Sequence, residues 1–310
     1  MSQNLKKLDR ILVANRGEIA IRILRAASEL KIRTVAMYTY EDRYSLHRYK
    51  ADEAYQIGPD DEPLKPYLDI EEIIQLAKRN HIDAIHPGYG FLSENVGFAR
   101  RCEEEGIIFV GPTSETMARL GDKVEAKKLA IAAKVPIIED SQEELTDYAI
   151  AKKEASRIGY PIMLKAAAGG GGRGMRIVTN HDELAEAVEQ ALALDPEVLL
   201  EGYVAGDEIT VAVLDGDPLP VVRIAPASGF FDYEAKYQEG KTVYQVPAPI
   251  PDTVARAAQR AAVAAYRQLG CRGLARADFI VRDGVPVFLE INTLPGMTAT
   301  SLSPMAAGAT

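Results

Sequence analysis

The segment from Arg276 to Asn292 constrains the fold more than any other, because its residues alternate in character. Phe279, Val281, Val285, Val287, Leu289 and Ile291 are all odd-numbered, and with a side-chain period of two they predict one apolar face of a β-hairpin. Arg276, Asp278, Glu290 and Asn292 share the opposite face. Two strands keep this parity across a loop with an odd number of residues, and Arg282-Asp283-Gly284 suits a three-residue turn with Gly in the left-handed position. Asp278 is thereby expected near Glu290 across the ladder.

A solvated outer face would also carry such charges. The combination of two carboxylates and an amide is nonetheless a set of hard oxygen ligands, suited to Mg²⁺ held jointly with the phosphates of a nucleotide. Thr293-Leu294-Pro295-Gly296-Met297-Thr298 follows at once, a loop fixed by Pro and Gly whose backbone N–H groups can face an anion. The middle of the chain has a second such feature. Gly169, Gly170, Gly171, Gly172 and Gly174 fill five of six positions, with Lys165 four residues before the run. A backbone without side chains can lie over a phosphate and offer several N–H donors, and Lys165 adds a point charge. No Gly-Lys-Ser/Thr occurs, and apolar β-runs flank the loop on both sides, so it is not a P-loop.

A net charge of −9 argues against sequence-independent binding to nucleic acid or to an anionic membrane, since both need clustered Lys and Arg. Phosphate binding must then be local. No run approaches the length of a membrane helix, and Met-Ser-Gln-Asn-Leu-Lys-Lys lacks the apolar stretch of a signal peptide, which makes the cytoplasm the expected location. Cys102 and Cys271 have no metal-type spacing. From residue 11 to about 112, strands (11–14, 34–38, 84–86, 107–110) alternate with helices (17–30, 70–79, 94–105), the pattern of a doubly wound parallel sheet. Its first turn, Asn15-Arg16-Gly17-Glu18, has one glycine where a dinucleotide fingerprint needs three, so NAD is not expected. A linking helix is expected over 122–134. A second unit, with helices 144–158 and 182–193 and strands 161–165 and 175–178, surrounds the glycine loop. The last contains strands 208–214 and 219–224, helix 252–269 and the hairpin.

Two families are resembled, one by each half. Phe231-Asp232-Tyr233-Glu234-Ala235-Lys236-Tyr237, Gly270-Cys271-Arg272-Gly273, Arg276-Ala277-Asp278 and Glu290-Ile291-Asn292-Thr293-Leu294-Pro295-Gly296-Met297-Thr298 resemble the C-terminal half of a D-alanine–D-alanine ligase, an ATP-grasp enzyme, from about Glu197 onward. Ile11-Leu12-Val13-Ala14-Asn15-Arg16-Gly17-Glu18, Ser45-Leu46-His47-Arg48-Tyr49-Lys50-Ala51-Asp52, His86-Pro87-Gly88-Tyr89-Gly90-Phe91-Leu92-Ser93-Glu94-Asn95 and Gly121-Asp122-Lys123 resemble the biotin carboxylase domain of a pyruvate or acyl-CoA carboxylase. That second likeness runs through the glycine loop, so the chain reads as a chimera joined between about residues 177 and 197.

The resemblance implies an α/β, three-part ATP-grasp fold: a parallel α/β domain over 1–122, a linker helix and mobile lid over 123–204, and a mixed α+β domain over 205–310. It implies ATP and Mg²⁺, with Lys123, Lys165, the glycine loop, Glu201, the strand and hinge to Val204, Glu208 and Lys236 around the nucleotide, and Asp278, Glu290 and Asn292 on the metal. Arg276 and the N–H of Gly296 match groups that stabilise a tetrahedral oxyanion, Ser301 the serine that receives the second D-alanine's carboxylate, and Tyr237 the loop covering the site. The activity implied is ADP-forming ligation through an acyl phosphate. Both families pair through their first domains, which implies a homodimer. Two departures weaken ligation. Arg16-Gly17-Glu18 stands where a ligase has its ammonium-binding glutamate, leaving Glu18 as the stand-in, and Gly171 replaces a serine that would bond Tyr237. A chimera that binds ATP without coupled ligation is the alternative. The biotin carboxylase's bicarbonate motif is absent from residues 290–301.

Overall fold

The computed structural model describes residues 7–121, 135–141, 145–166, 175–194, 198–226, 242–298 and 301–310. Two compact units emerge: Met1–Ala126 with Leu269–Gly273, and Lys127–Gln268 with Leu274–Thr310.

The first unit contains β1 (Arg10–Val13), α1 (Gly17–Glu29), β2 (Arg33–Tyr38), a short α2 (Leu46–Lys50), β3 (Glu53–Gln56), α3 (Ile70–Arg79), β4 (Ala84–His86), α4 (Val96–Glu104), β5 (Ile108–Phe109) and α5 (Ser114–Gly121). The strands form a parallel sheet in the order β3-β2-β1-β4-β5, the doubly wound arrangement expected from the alternation. Leu12, Met37, Ile74, Ile85, Phe98 and Phe109 are fully buried or nearly so, because a sheet covered by helices on both faces must be apolar on both. α4 starts at 96 and not 94 because Asn95 is its cap, its side chain accepting from the Phe98 N–H at 2.9 Å. β3 and α2 were not predicted, being short and rich in charge and tyrosine. A piece of the distant sequence completes this unit. Arg272 donates to the carbonyls of Gly111 (2.8 Å) and Phe109 (2.9 Å), and Thr116 Oγ1 donates to Gly270 O at 2.9 Å.

In the second unit α6 (Tyr148–Ile158), β6 (Ile162–Ala166), β7 (Arg176–Val178), α7 (His181–Leu194) and β8 (Val198–Gly202) form a small layer whose sheet runs β7-β6-β8, all antiparallel. The cap Asp147, accepting from Ile150 N–H at 3.0 Å, sets the start of α6 four residues later than expected. A larger antiparallel sheet follows: β9 (Asp207–Leu214), β10 (Asp217–Pro218), β11 (Val222–Pro226), β12 (Thr242–Gln245), β13 (Leu274–Arg282) and β14 (Val285–Asn292), in the order β12-β11-β9-β13-β14 with β10 on β9. α8 (Asp252–Gln268) packs on it through Ala258, Ala262 and Ala265, small residues that let helix and sheet approach closely. α9 (Leu302–Ala307) ends the chain. Residues 136–141 tie the two sheets together. Phe288 N–H donates to Pro136 O, while Ser141 N–H donates to Leu200 O and Gly202 N–H to Glu139 O, each at 2.7 Å.

The hairpin departs from its expected turn. Arg282 pairs with Val285, leaving a two-residue turn, Asp283-Gly284, with φ of 52° and 77°. Such a turn with both residues left-handed matches the strand twist. It reverses the expected parity near the tip: Phe279 lies opposite Phe288, Val281 opposite Pro286 and Ile280 opposite Val287. The register then shifts between Asp278 and Phe279, leaving Leu289 as the extra residue of a β-bulge, and Asp278 lies opposite Glu290. Val285 and Val287 therefore leave the apolar face assigned to them from parity, and Val285 is 46% exposed.

The close approach of β9 to β13 makes its own prediction. A Cβ on Gly206 would lie 2.2 Å from the Val281 carbonyl oxygen, a backbone group with nowhere to yield. Gly206→Ala is expected to cost about 1–3 kcal/mol by overpacking, read as a lowered urea midpoint. An unchanged midpoint would show that this end of the β9–β13 pair relaxes freely.

Candidate functional site

The central strands of the large sheet bring one polar face together. Asp278 lies opposite Thr210 on one side and Glu290 on the other, Arg276 opposite Asn292, and Ile280 opposite Glu208. With a period of two, Glu208, Thr210, Arg276, Asp278, Glu290 and Asn292 share that face. Ile280 and Val287 extend it toward the hairpin tip as an apolar patch, which the expected parity had hidden.

Arg276 and Asp278 form the fixed centre. Arg276 Nε donates to Oδ1 at 2.9 Å and Nη2 to Oδ2 at 2.8 Å, a two-pronged pair of side chains only 18% and 10% exposed. Burial works against the guanidinium charge, but Asp278 first, then Glu290 and Glu208, overcome it and hold Arg276 above the ordinary arginine pKa. Thr210, 1% exposed, points its hydroxyl at Asp278 Oδ1, 2.5 Å away, with Ala277 O at 3.1 Å as the alternative acceptor. Sequence reasoning missed Thr210. Its even number in β9, shared with Glu208, was the available signal.

The donor chemistry of this face fits a magnesium ion: two carboxylates and an amide, all oxygen ligands, on facing strands. Among the described residues no group of three His, Cys, Asp or Glu forms a ready cage, so further ligands must come from water or from the phosphates of a nucleotide. Asn292 Oδ1 accepts from Leu294 N–H at 3.2 Å, which fixes the first turn after β14. Further along, Ser301 Oγ accepts from Thr298 N–H at 3.0 Å and lies 2.8 Å from Thr298 Oγ1. A Cβ on Gly296 would come within 3.0 Å of that same oxygen. Gly296 and Ser301 are thus neighbours.

On the smaller sheet Lys165 Nζ lies 2.5 Å from Glu201 Oε2, joining two residues expected at the nucleotide, and Val204 beyond them is 8% exposed. Lys123, Gly169, Gly170, Gly171, Gly172, Gly174, Lys236 and Tyr237 lie outside the described residues.

In the first unit, Glu18 opens α1 and its carboxylate accepts from the Tyr89 hydroxyl. The pair bridges the carboxyl ends of β1 and β4, the adjacent strands at which the strand order reverses, where open α/β sheets take ligands. His86 ends β4. Its Nδ1 accepts from the Gly88 N–H at 3.1 Å, so the proton of the neutral ring sits on Nε2, and burial alone pushes its pKa down to about 4.

Comparison with known proteins agrees with this division. The family described as "Biotin carboxylase, N-terminal domain" matches residues 7–117, and "D-ala D-ala ligase C-terminus" matches residues 124–310. The second match carries the ligase likeness back across the small layer of β6, β7 and β8. Pyruvate carboxylase of Bacillus subtilis is 57% identical over 191 residues, 62% of this chain and 16% of its own length. That of Staphylococcus aureus is 42% identical over 296 residues, 93% of this chain and 25% of its own length. This chain therefore spans a quarter or less of those relatives. Among solved structures, the biotin carboxylase–βγ-ATP complex of Campylobacter jejuni aligns with a TM-score of 0.79 at 33% identity, over 96% of this chain and 67% of that one. The biotin carboxylase domain dimer of Hydrogenobacter thermophilus 2-oxoglutarate carboxylase, in complex with MgADP, ADP and bicarbonate, aligns with a TM-score of 0.77 at 36% identity, over 95% and 65%.

The half-buried His86 sets a pH dependence. Its folded pKa of about 4 lies below the ordinary 6.5, so the unfolded chain takes up the proton first. The stability it contributes is complete above pH 6.5 and is lost as pH falls toward 4. Between pH 7.5 and 5 the protein is expected to lose about 2 kcal/mol more than a His86→Gln variant, measured by urea unfolding. Parallel losses in the two proteins would exclude the burial effect.

Proposed function

Because the chain belongs to the ATP-grasp superfamily, with residues 124–310 in the D-ala D-ala ligase C-terminus family and biotin carboxylases as relatives along nearly its whole length, we propose that it uses MgATP to phosphorylate a small carboxylate and passes the acyl group to an amine. One observation carries the reading: Asp278 directly opposite Glu290, with Asn292 and Arg276 on the same face.

In this reading Lys165, Glu201 and the hinge to Val204 hold the nucleotide, joined by Lys123, Glu208, Lys236 and the glycine loop. Mg²⁺, when bound by Asp278, Glu290 and Asn292, supplies neutralisation of the phosphate charge, the main catalytic requirement of phosphoryl transfer. A substrate carboxylate oxygen attacks the γ-phosphorus as the bond to ADP breaks. The amine then attacks the acyl carbon and phosphate leaves. Arg276 and the Gly296 N–H are donors for the oxyanion of that second step. Ser301 and Glu18 would receive the carboxylate and ammonium of D-alanine, with Tyr237 covering the site. A homodimer, as in the Hydrogenobacter domain, belongs to the same proposal.

A second reading is a chimera that binds ATP without coupled ligation. It is favoured by hydroxyl and carboxylate groups of Ser301 and Glu18 already engaged by Thr298 and Tyr89. ADP release by the purified chain separates these readings. D-alanine should stimulate release by the ligase and leave the uncoupled binder unchanged, whereas stimulation by bicarbonate alone would reassign the acceptor to the carboxylase type.

Asp278→Asn and Glu290→Gln are each expected to lower magnesium-dependent ADP release by about two powers of ten or more, since the lost metal contact is worth several kcal/mol of charge stabilisation. Circular dichroism should stay unchanged. Full turnover in both variants would remove the metal assignment.

A further inference from the structure

The carboxylate given above to the metal is already occupied. Arg276 closes a two-pronged pair on it, with Nε on Oδ1 and Nη2 on Oδ2 at 2.9 and 2.8 Å. This is the side of a carboxylate that a divalent ion would also use. We propose that Arg276 is the placeholder counter-ion of Asp278: it neutralises the buried carboxylate in the absence of metal, is displaced when a divalent cation binds, and is thereby delivered to the reacting centre only after the metal is in place. The inference rests on the reading of Asp278, Glu290 and Asn292 as the metal face.

Burial makes such a counter-ion necessary. At 10% exposure the Asp278 side chain would carry a costly unpaired charge, and Glu208 and Glu290 add acid to the same face. A guanidinium cannot surrender its proton to relieve the pair, so an arriving cation must displace it bodily. Two features make displacement workable. Thr210, buried on the neighbouring strand, anchors Oδ1 independently of the arginine, so the carboxylate stays in place when its partner changes. Glu208, which is outside the metal set, also draws the Arg276 charge from the same face, and gives the displaced guanidinium an acid to swing toward. While it neutralises Asp278, Arg276 has its Nε–H and one Nη2–H committed to that carboxylate, and displacement by the ion frees both for the oxyanion of the second step.

The test uses the full chain without nucleotide, with Mn²⁺ as probe followed by electron paramagnetic resonance, and NMR of the Arg276 Nε–Hε group, assigned through its absence in Arg276→Lys. Arg276→Met should bind Mn²⁺ about tenfold or more tightly than the natural sequence, since a competing unit charge a few ångströms away is gone. Addition of Mg²⁺ to the unsubstituted protein should shift the Arg276 Nε–Hε signal. Mn²⁺ binding by Arg276→Met that is equal or weaker overturns the exchange, and if that variant fails to fold, an unshifted signal overturns it instead. Asp278→Asn separates the two readings. Loss of Mn²⁺ binding there, with no gain in Arg276→Met, removes the exchange alone, whereas binding unaffected by Asp278→Asn removes the metal face and the exchange with it.

Discussion

The site depends on one irregularity, the extra residue Leu289 in β14. Its two-residue turn, extended by regular pairing, would have set Asp278 against Leu289 and Arg276 against Ile291, breaking the acid face. The bulge shifts the register by one residue between Asp278 and Phe279, and from there Glu290 and Asn292 point the same way as Asp278 and Arg276. A bulge leaves a ladder position unpaired and bends its strand. Here Phe288, beside it, is held from the other side, its N–H donating to Pro136 O. Segment 136–141 therefore both braces the bulge and pairs with β8 of the smaller sheet, so the strand carrying Glu290 and the strand carrying Glu201 are fixed by one stretch of chain.

Charge is the second constraint. A buried carboxylate needs a partner, and the chain supplies it from the same strand, two residues away, where the alternation guarantees a shared face. A partner from another strand would depend on register. One from the same strand does not, so the Arg276–Asp278 pair is robust to the kind of slip that would separate Asp278 from Glu290. Thr210 adds a third, uncharged contact from β9. The resulting face is acidic on balance, which suits a divalent cation better than an anion.

Much of this was legible from residue order. The parallel sheet followed from alternating β and helical periods, and its core from those apolar positions. The even-numbered acid face was legible too, although the expected turn was wrong. A three-residue loop preserves even parity but sets Arg276 against Glu290, whereas the two-residue turn and the bulge together preserve parity and set Asp278 there. The left-handed pair Asp283-Gly284 was a sequence signal for the shorter turn, and nothing in Phe288-Leu289-Glu290 announces a bulge, which arises from pairing on both sides of β13 and β14. Thr210 shares the parity of Glu208 in β9, but parity alone did not give its role, which is tertiary: a hydroxyl in a β-run becomes a carboxylate anchor only when β13 lies beside it. β3 and α2 escaped because their few residues are held by neighbours and not by their own periodicity.

The lid layer explains how two likenesses coexist in one chain. Its sheet, β7-β6-β8, spans the join expected between about residues 177 and 197, with β6 and β7 before it and β8 after, and its core mixes Leu164 and Val178 with Val198 and Leu200, each 3% exposed or less. A join between about residues 177 and 197 falls along α7, whose inward residues Leu184, Ala187, Val188 and Ala191 belong to that same core. Interiors are packed to the density of molecular crystals, so a seam through a core is tolerated only when both sides preserve volume and pattern. The match of the ligase family from residue 124 onward, through a region that also aligns with carboxylases, meets that condition: the layer is common to both lineages. A join there would change neither the strand order around Lys165 and Glu201 nor the hairpin that carries Asp278 and Glu290.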